Sequence, residues 1–196
     1  MKPSDTVKPH LIIMVGIPGS GKSFFAEHFA DTFNAPFISY DNFCKEIFAN
    51  PTHSNDEDRI VNKIANYVLD EVLKTKRTVI YEGQSNLQSD RITISKKARN
   101  SGYDPLFIWV QTETATAIKR ATKLSLEKPA LSIDDFNNKI KRFSPPHLNE
   151  KVIVISGKHT YTSQLKIVLK HLIQPRENSE RTSLVGSSKN RNFLIR

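Results

Sequence analysis

The stretch LIIMVGIPGSGKSFFAEHFA, residues 11–30, decides how the chain is read. Residues 10–15 (HLIIMV) form a short, unbroken apolar run closed by Gly16. A run this short, without alternation, fits a parallel strand buried on both faces. Gly16-Ile17-Pro18-Gly19-Ser20-Gly21-Lys22-Ser23 then satisfies G-x-x-x-x-G-K-[ST] without a mismatch. From residue 22 to 34, Phe24, Phe25, His28, Phe29 and Phe33 recur at helical spacing. The glycines let backbone N–H groups turn inward, and the helix N-terminus adds partial positive charge, so the segment reads as a phosphate cradle. In that cradle residues 16–24, through Phe24, are expected to wrap the phosphates of ATP. Lys22 is expected to reach the β- and γ-phosphates, and Ser23 to ligate Mg²⁺.

Outward from the loop, apolar runs and helical stripes alternate. Residues 36–39, 78–82, 104–111 and 151–156 read as further strands. Residues 41–49 read as a short helix broken at Asn50-Pro51. Residues 56–74 carry the clearest stripe: Ile60, Val61, Ile64, Ala65, Val68, Leu69, Val72 and Leu73. Helices are also expected over 87–101, ended by Gly102, and over 113–124, with Thr112 as N-cap. A further helix runs from a Ser132 cap to about Phe143, before Pro145-Pro146, and a last one covers 160–173. Five strands alternating with helices give an α/β fold with a parallel sheet, three layers deep, of the P-loop NTPase kind. Ligands in such sheets sit beyond the carboxyl ends of the strands.

Length and composition suit one domain: 196 residues, 38% apolar and 25% charged. We expect a domain over 1–174, with a lid at about 125–132, and a basic, flexible tail over 175–196. No apolar run approaches the ~20 residues of a membrane span. The single cysteine, Cys44, excludes an internal disulfide framework. The expectation is a soluble, reduced, cytoplasmic protein. The net charge of +9 suits a polyanionic partner, and nucleic acid is a candidate through both the basic body and the tail. The histidines have no metal-ligand spacing. Cys44 reads as a buried or half-buried helix residue and Trp109 as core.

Asp41 stands just past the second strand, where it serves either as a catalytic carboxylate or as the N-cap of the helix after it. Glu82 ends the third strand, where a carboxylate can hold the Mg²⁺ water shell or the acceptor. Gln84, Ser85 and Asn86 read either as substrate contacts or as a turn and helix cap. Arg120, Lys123, Lys128 and Arg142 read as phosphate ligands around the lid or as solvated cations. The loop Ser156-Gly157-Lys158-His159 is placed by the fold near the base, though turn chemistry explains it equally well.

The run of residues 11–30, followed by ISYD and a helix, resembles the polynucleotide-kinase and zeta-toxin branch of P-loop kinases, an AAA-type ATP-binding domain. The resemblance extends over about residues 11–173. It implies a nucleoside-kinase-like fold and transfer of the γ-phosphate of ATP to a hydroxyl on a small molecule, a nucleotide or a nucleic-acid end. It further implies that Asp41 accepts the hydroxyl proton, that Glu82 with Gly83 matches an acid-glycine pair, and that Arg120 reaches the transferring phosphoryl group. Lys22, Asp41, Glu82 and Arg120 are thus the expected catalytic set. The polynucleotide kinases carry an arginine for substrate phosphate where this chain has Cys44, which argues against carrying that substrate over. The rival reading is a nucleotide-dependent nucleic-acid-binding protein or NTPase switch.

Overall fold

The computed structural model describes residues 8–49, 51, 54–123, 131–147 and 149–173. The expected tail, most of the expected lid and Lys128 lie outside the described residues. The elements follow in the order β1 (His10–Val15), α1 (Lys22–Phe33), β2 (Phe37–Ser39), α2 (Tyr40–Ile47), α3 (Asn55–Leu73) and β3 (Val79–Glu82). Then come α4 (Gln88–Asn100), β4 (Asp104–Gln111), α5 (Thr114–Ala121), α6 (Ile133–Lys141), β5 (Val152–Ser156) and α7 (Tyr161–Ile173). All strand pairs are parallel and the sheet order is β2-β3-β1-β4-β5. The chain order therefore reverses at β1, the central strand, and the loop after it opens at that switch point.

The unbroken apolar run of β1 has a direct cause: both of its faces are covered. Leu11, Ile13 and Val15 pack with Ala65, Leu69 and Leu73 of α3 and Ile94 and Ala98 of α4. Ile12 and Met14 point the other way, onto Phe25, Ala26 and Phe29 of α1 and Val168 of α7. Every residue from Leu11 to Val15 is fully buried. Helical spacing identifies the inward face of each helix less sharply. Phe24, Phe33 and Ile60 stay about half exposed (47%, 46% and 45%), so they are not core. Trp109 is half-buried and its ring lies 6.4 Å from that of Phe143.

Helix starts follow side-chain chemistry. Ser54 accepts from the Glu57 backbone N–H, and Asp56, Glu57 and Asp58 complement the dipole of α3. Ser132 caps α6 through the Asp135 N–H. Two expected caps are not used. Helix α5 starts from Glu113, because the Thr112 hydroxyl is bonded to backbone carbonyls behind it. Helix α2 starts at Tyr40 with Ser39 as its cap, so Asp41 lies inside the first turn rather than at the N-cap. Gly102 ends α4 at φ +79°, as expected of a C′ glycine. Among the described residues no helix is long and apolar enough to cross a membrane.

Candidate active site

Parallel strands bring their carboxyl ends to one edge. Ser39 pairs in register with Glu82 across β2 and β3, and Gln111 with Ser156 across β4 and β5. The glycine-rich loop leaves β1 between these two pairs. Asp41, two residues past Ser39, is exposed beside the Glu82 side of the loop. Arg120 and the β5–α7 turn lie on the other side.

The loop is held from two directions. Gly19 has φ +72°, and a Cβ there would meet the Ala117 carbonyl oxygen at 2.2 Å, so α5 packs directly on the loop. Gly157 sits so close that a Cβ would lie 1.9 Å from the Ser20 carbonyl oxygen. Thr112 Oγ1 donates to that same carbonyl at 2.9 Å, and Gly157 N–H donates to Gln111 O at 2.8 Å. Inside the cradle, Lys22 Nζ donates to Ile17 O at 3.1 Å. The lysine thus lies folded back over the loop, where incoming phosphate oxygens would compete for its protons.

Ser23 Oγ donates to Glu82 Oε1 at 2.9 Å. Glu82 is 8% exposed, so the first residues of α1 and the end of β3 meet in a sheltered spot at the foot of the loop. A hydroxyl and a carboxylate are the hard oxygen donors that Mg²⁺ takes alongside waters and phosphate oxygens. This pair therefore fits the ion. Among the described residues no group of three or more His, Cys, Asp or Glu is arranged as a metal site.

Arg120 Nη1 donates to Gly157 O at 2.9 Å, which holds the guanidinium against the β5–α7 turn beside the loop. Lys158 Nζ pairs with Glu113 Oε2 at 2.8 Å and closes the same turn onto the start of α5. The hydrogen bond from Lys158, helped by its charge, holds the Glu113 carboxyl below its ordinary range. Between these groups lies an open cleft of about 540 Å³, lined by Ile17, Thr112, Phe143, Ser156 and Lys158 among others. Its volume falls within the ordinary range of small-ligand sites. Lys123 and Arg142 are exposed at the ends of α5 and α6.

The sequence profile of the AAA domain family matches residues 11–146. The chain belongs to that family. No curated protein sequence matches it. Solved structures similar to this AAA domain include a sugar kinase from Janibacter sp. HTCC2649, at 14% identity and TM-score 0.62, covering 84% of this chain and 94% of that one. A gluconokinase from Sinorhizobium meliloti 1021 aligns at 15% identity and TM-score 0.59, over 85% of this chain and 93% of that one. A chain of the Pnkp1/Rnl/Hen1 RNA repair complex aligns at 23% identity and TM-score 0.60, over 72% of this chain and 46% of the other. At these identities the likeness is one of fold, and the fold is that of P-loop kinases.

Several residues of this AAA domain that matter to the site carry no motif. Thr112, expected as a helix cap, instead ties β4 to the loop through Ser20. Ser85, a candidate substrate contact, is buried and donates to Met14 O at 2.6 Å, which fastens the β3–α4 loop to β1. Gln84 and Asn86 remain exposed, and the N-cap of α4 is Leu87. Arg91 is fully buried. Its guanidinium grips Glu150 by two bonds, at 2.6 and 3.0 Å, and donates to Ser85 O at 3.0 Å and Ser144 O at 2.9 Å. Cys44 is buried, as expected, with its thiol pushed up in pKa by burial. The Tyr40 hydroxyl donates to Asp58 Oδ1. Neither Arg91 nor Asp58 has a sequence signal beyond its place in a helical pattern.

Proposed function

We propose that the protein transfers the γ-phosphate of ATP to an alcohol, with residues 1–174 as the catalytic unit and 175–196 as a basic extension. The observation that carries this reading is the Ser23–Glu82 bond, because it puts a metal-binding hydroxyl and a buried carboxylate together at the foot of an intact phosphate loop. Asp41 lies one strand further out and is exposed, and in this reading it serves the acceptor. Residues 16–24 hold the triphosphate through backbone N–H groups, and Lys22 exchanges the Ile17 carbonyl for β- and γ-phosphate oxygens. Ser23 and Glu82 would hold Mg²⁺, which when bound neutralises charge on those oxygens. The acceptor oxygen attacks the γ-phosphorus, its proton passes to Asp41, and the bond to the ADP oxygen breaks. Arg120 needs only to leave the Gly157 carbonyl to meet the charge that develops on the phosphoryl oxygens. The cleft beside Thr112 and Lys158 receives the base.

The acceptor is a small molecule, a nucleotide or a nucleic-acid end. Buried Cys44 in place of a substrate-phosphate arginine favours the first two. The test is transfer of labelled γ-phosphate to D-gluconate, a nucleoside and a 5′-hydroxyl oligonucleotide, with Asp41→Ala beside the wild type. Loss of a general base lowers turnover by roughly 10²–10⁴-fold. An Asp41→Ala protein as fast as the wild type sinks the assigned role. The net charge of +9 supports a second reading, a nucleotide-dependent nucleic-acid binder. That protein would hydrolyse ATP faster with RNA or DNA than with any alcohol, and its nucleic-acid affinity would fall steeply with salt.

A further inference from the structure

Helix α2 has only eight residues. A helix that short is not stable alone, so its direction is set by what it packs against. Tyr40, Phe43 and Cys44 stand at i, i+3 and i+4 and share one face. Cys44 is buried on that face, and Phe43 packs against the core beneath β1, β3 and α3. The Tyr40 hydroxyl reaches over to Asp58 Oδ1 in the first turn of α3. Asp58 is itself well fixed there: its carboxylate sits at the positive end of the α3 dipole, and its carbonyl accepts from Asn62 Nδ2 at 2.6 Å. Burial, with the bond to Asp58, pushes the Tyr40 phenol well above its ordinary pKa, so it remains a donor.

Asp41 follows Tyr40 and leaves the helix about 100° further round. It is exposed, on the face next to the one that grips α3. A rotation of α2 by about 30° would carry a side-chain tip at the helix perimeter about 3 Å, enough to lose a hydrogen bond. The packing of Phe43 and Cys44 fixes the depth of the helix, and the bond between the Cys44 thiol and the Tyr40 hydroxyl lies within α2, so it does not tie α2 to α3. The Tyr40–Asp58 bond is directional and resists it. We propose that Tyr40, held by Asp58, is a positioning residue that aims the Asp41 carboxylate at the acceptor hydroxyl. This rests on the phosphotransferase reading given above.

The experiment compares Tyr40→Phe, Asp58→Ala, Asp58→Asn, Asp41→Ala and the double variant Tyr40→Phe/Asp41→Ala in the three-acceptor transfer assay. Tyr40→Phe and Asp58→Ala should lower kcat by about 10- to 100-fold with KM for ATP unchanged. Asp58→Asn should restore most of it, because an amide oxygen still accepts from the phenol. In the Asp41→Ala background Tyr40→Phe should cost nothing more, since it acts through the carboxylate already removed. Hydrogen exchange at the Phe48 amide, bonded to Cys44 O at 3.0 Å, should quicken about 10-fold in Tyr40→Phe while β1 is unchanged. A Tyr40→Phe protein with wild-type kcat beside an impaired Asp41→Ala overturns the positioning role alone. An equal loss from Tyr40→Phe in both backgrounds, or unchanged exchange at Phe48, also overturns it. An unimpaired Asp41→Ala overturns the role of Asp41 and this positioning role with it, whereas transfer to none of the acceptors overturns the phosphotransferase assignment.

Discussion

Ser23 Oγ and Glu82 Oε1 lie 2.9 Å apart, although 59 residues separate them in the chain. The bond joins the first turn of α1 to the end of β3. Glu82→Gln keeps the shape and a hydrogen-bonding group but removes the charge that a divalent cation needs. The expected outcome is a roughly 10–100-fold weaker response of turnover to Mg²⁺, with nucleotide still bound. Titrating turnover with Mg²⁺ at fixed ATP checks it, and an unchanged Mg²⁺ midpoint refutes a metal role for Glu82.

Lys22 rests on the Ile17 carbonyl at 3.1 Å, a contact that phosphate would replace. MgATP at about 100 times its Kd should stabilise the wild type by about 2.7 kcal/mol, seen as a higher Tm. Lys22→Ala should melt close to the wild type without ligand and lose most of that increment. Thermal melts with and without MgATP separate the two effects.

Gly19 and Gly157 test how the cradle is braced. Gly19→Ala sets a methyl 2.2 Å from the Ala117 carbonyl oxygen, on a residue at φ +72°. The backbone conformation alone costs about 1–2 kcal/mol, and the clash adds to it. Gly157→Ala meets the Ser20 carbonyl oxygen at 1.9 Å. It should therefore weaken nucleotide binding as severely as Gly19→Ala, despite lying well over a hundred residues beyond the motif. Calorimetric titration with ATP measures both, and a Gly157→Ala protein that binds as the wild type does would show that the β5–α7 turn does not shape the loop.

The Arg91–Glu150 pair should dominate stability outside the apolar core. Arg91 is fully buried, and the Glu150 side chain keeps 13% exposure. Removing one partner of such a pair costs about 3–5 kcal/mol, because the other is left charged in a poor solvent. Arg91→Met should show this in denaturant unfolding. Burial opposes ionisation of Glu150, but the Arg91 bonds prevail and leave its carboxyl below the ordinary range. A carboxyl lowered on folding stabilises the protein above the unfolded-state pKa and loses that contribution as pH falls through the folded one. Wild-type stability should thus fall below about pH 4.5, and Glu150→Gln should flatten that limb.

Residues 11–30 were legible because two independent signals coincide there: an apolar run with no alternation, and glycines at fixed offsets before Lys22 and Ser23. Alternation of runs and stripes then carried the element order through to α7, with most ends displaced by a residue or two and the end of α5 falling at Ala121, three residues before the expected 124. What periodicity does not carry is the neighbour. It marks Phe24, Phe33 and Ile60 as facing inward, yet nothing packs over them fully. Caps depend on which competing oxygen wins. Ser39 took the role open to Asp41, and Thr112 bonded to Ser20 O instead of the α5 N-terminus. The Ser23–Glu82, Tyr40–Asp58 and Arg91–Glu150 pairs were illegible for a related reason. Each joins residues from separate elements or loops, and only sheet order and helix packing decide that they meet.

Arg91 carries a consequence for anyone mapping this protein by random mutagenesis. It anchors the loop that holds Ser85, two residues from Gly83 and three from Glu82, to the segment around Ser144 and Glu150. Substitutions at Arg91 would score as inactive in a screen that reads only turnover, and would cluster on a map beside the residues around the glycine-rich loop. A tally of dead variants would thereby enlarge the apparent site by one arginine that meets no ligand. Counting soluble protein for each variant, alongside turnover, tells that scaffold residue from Lys22 or Asp41.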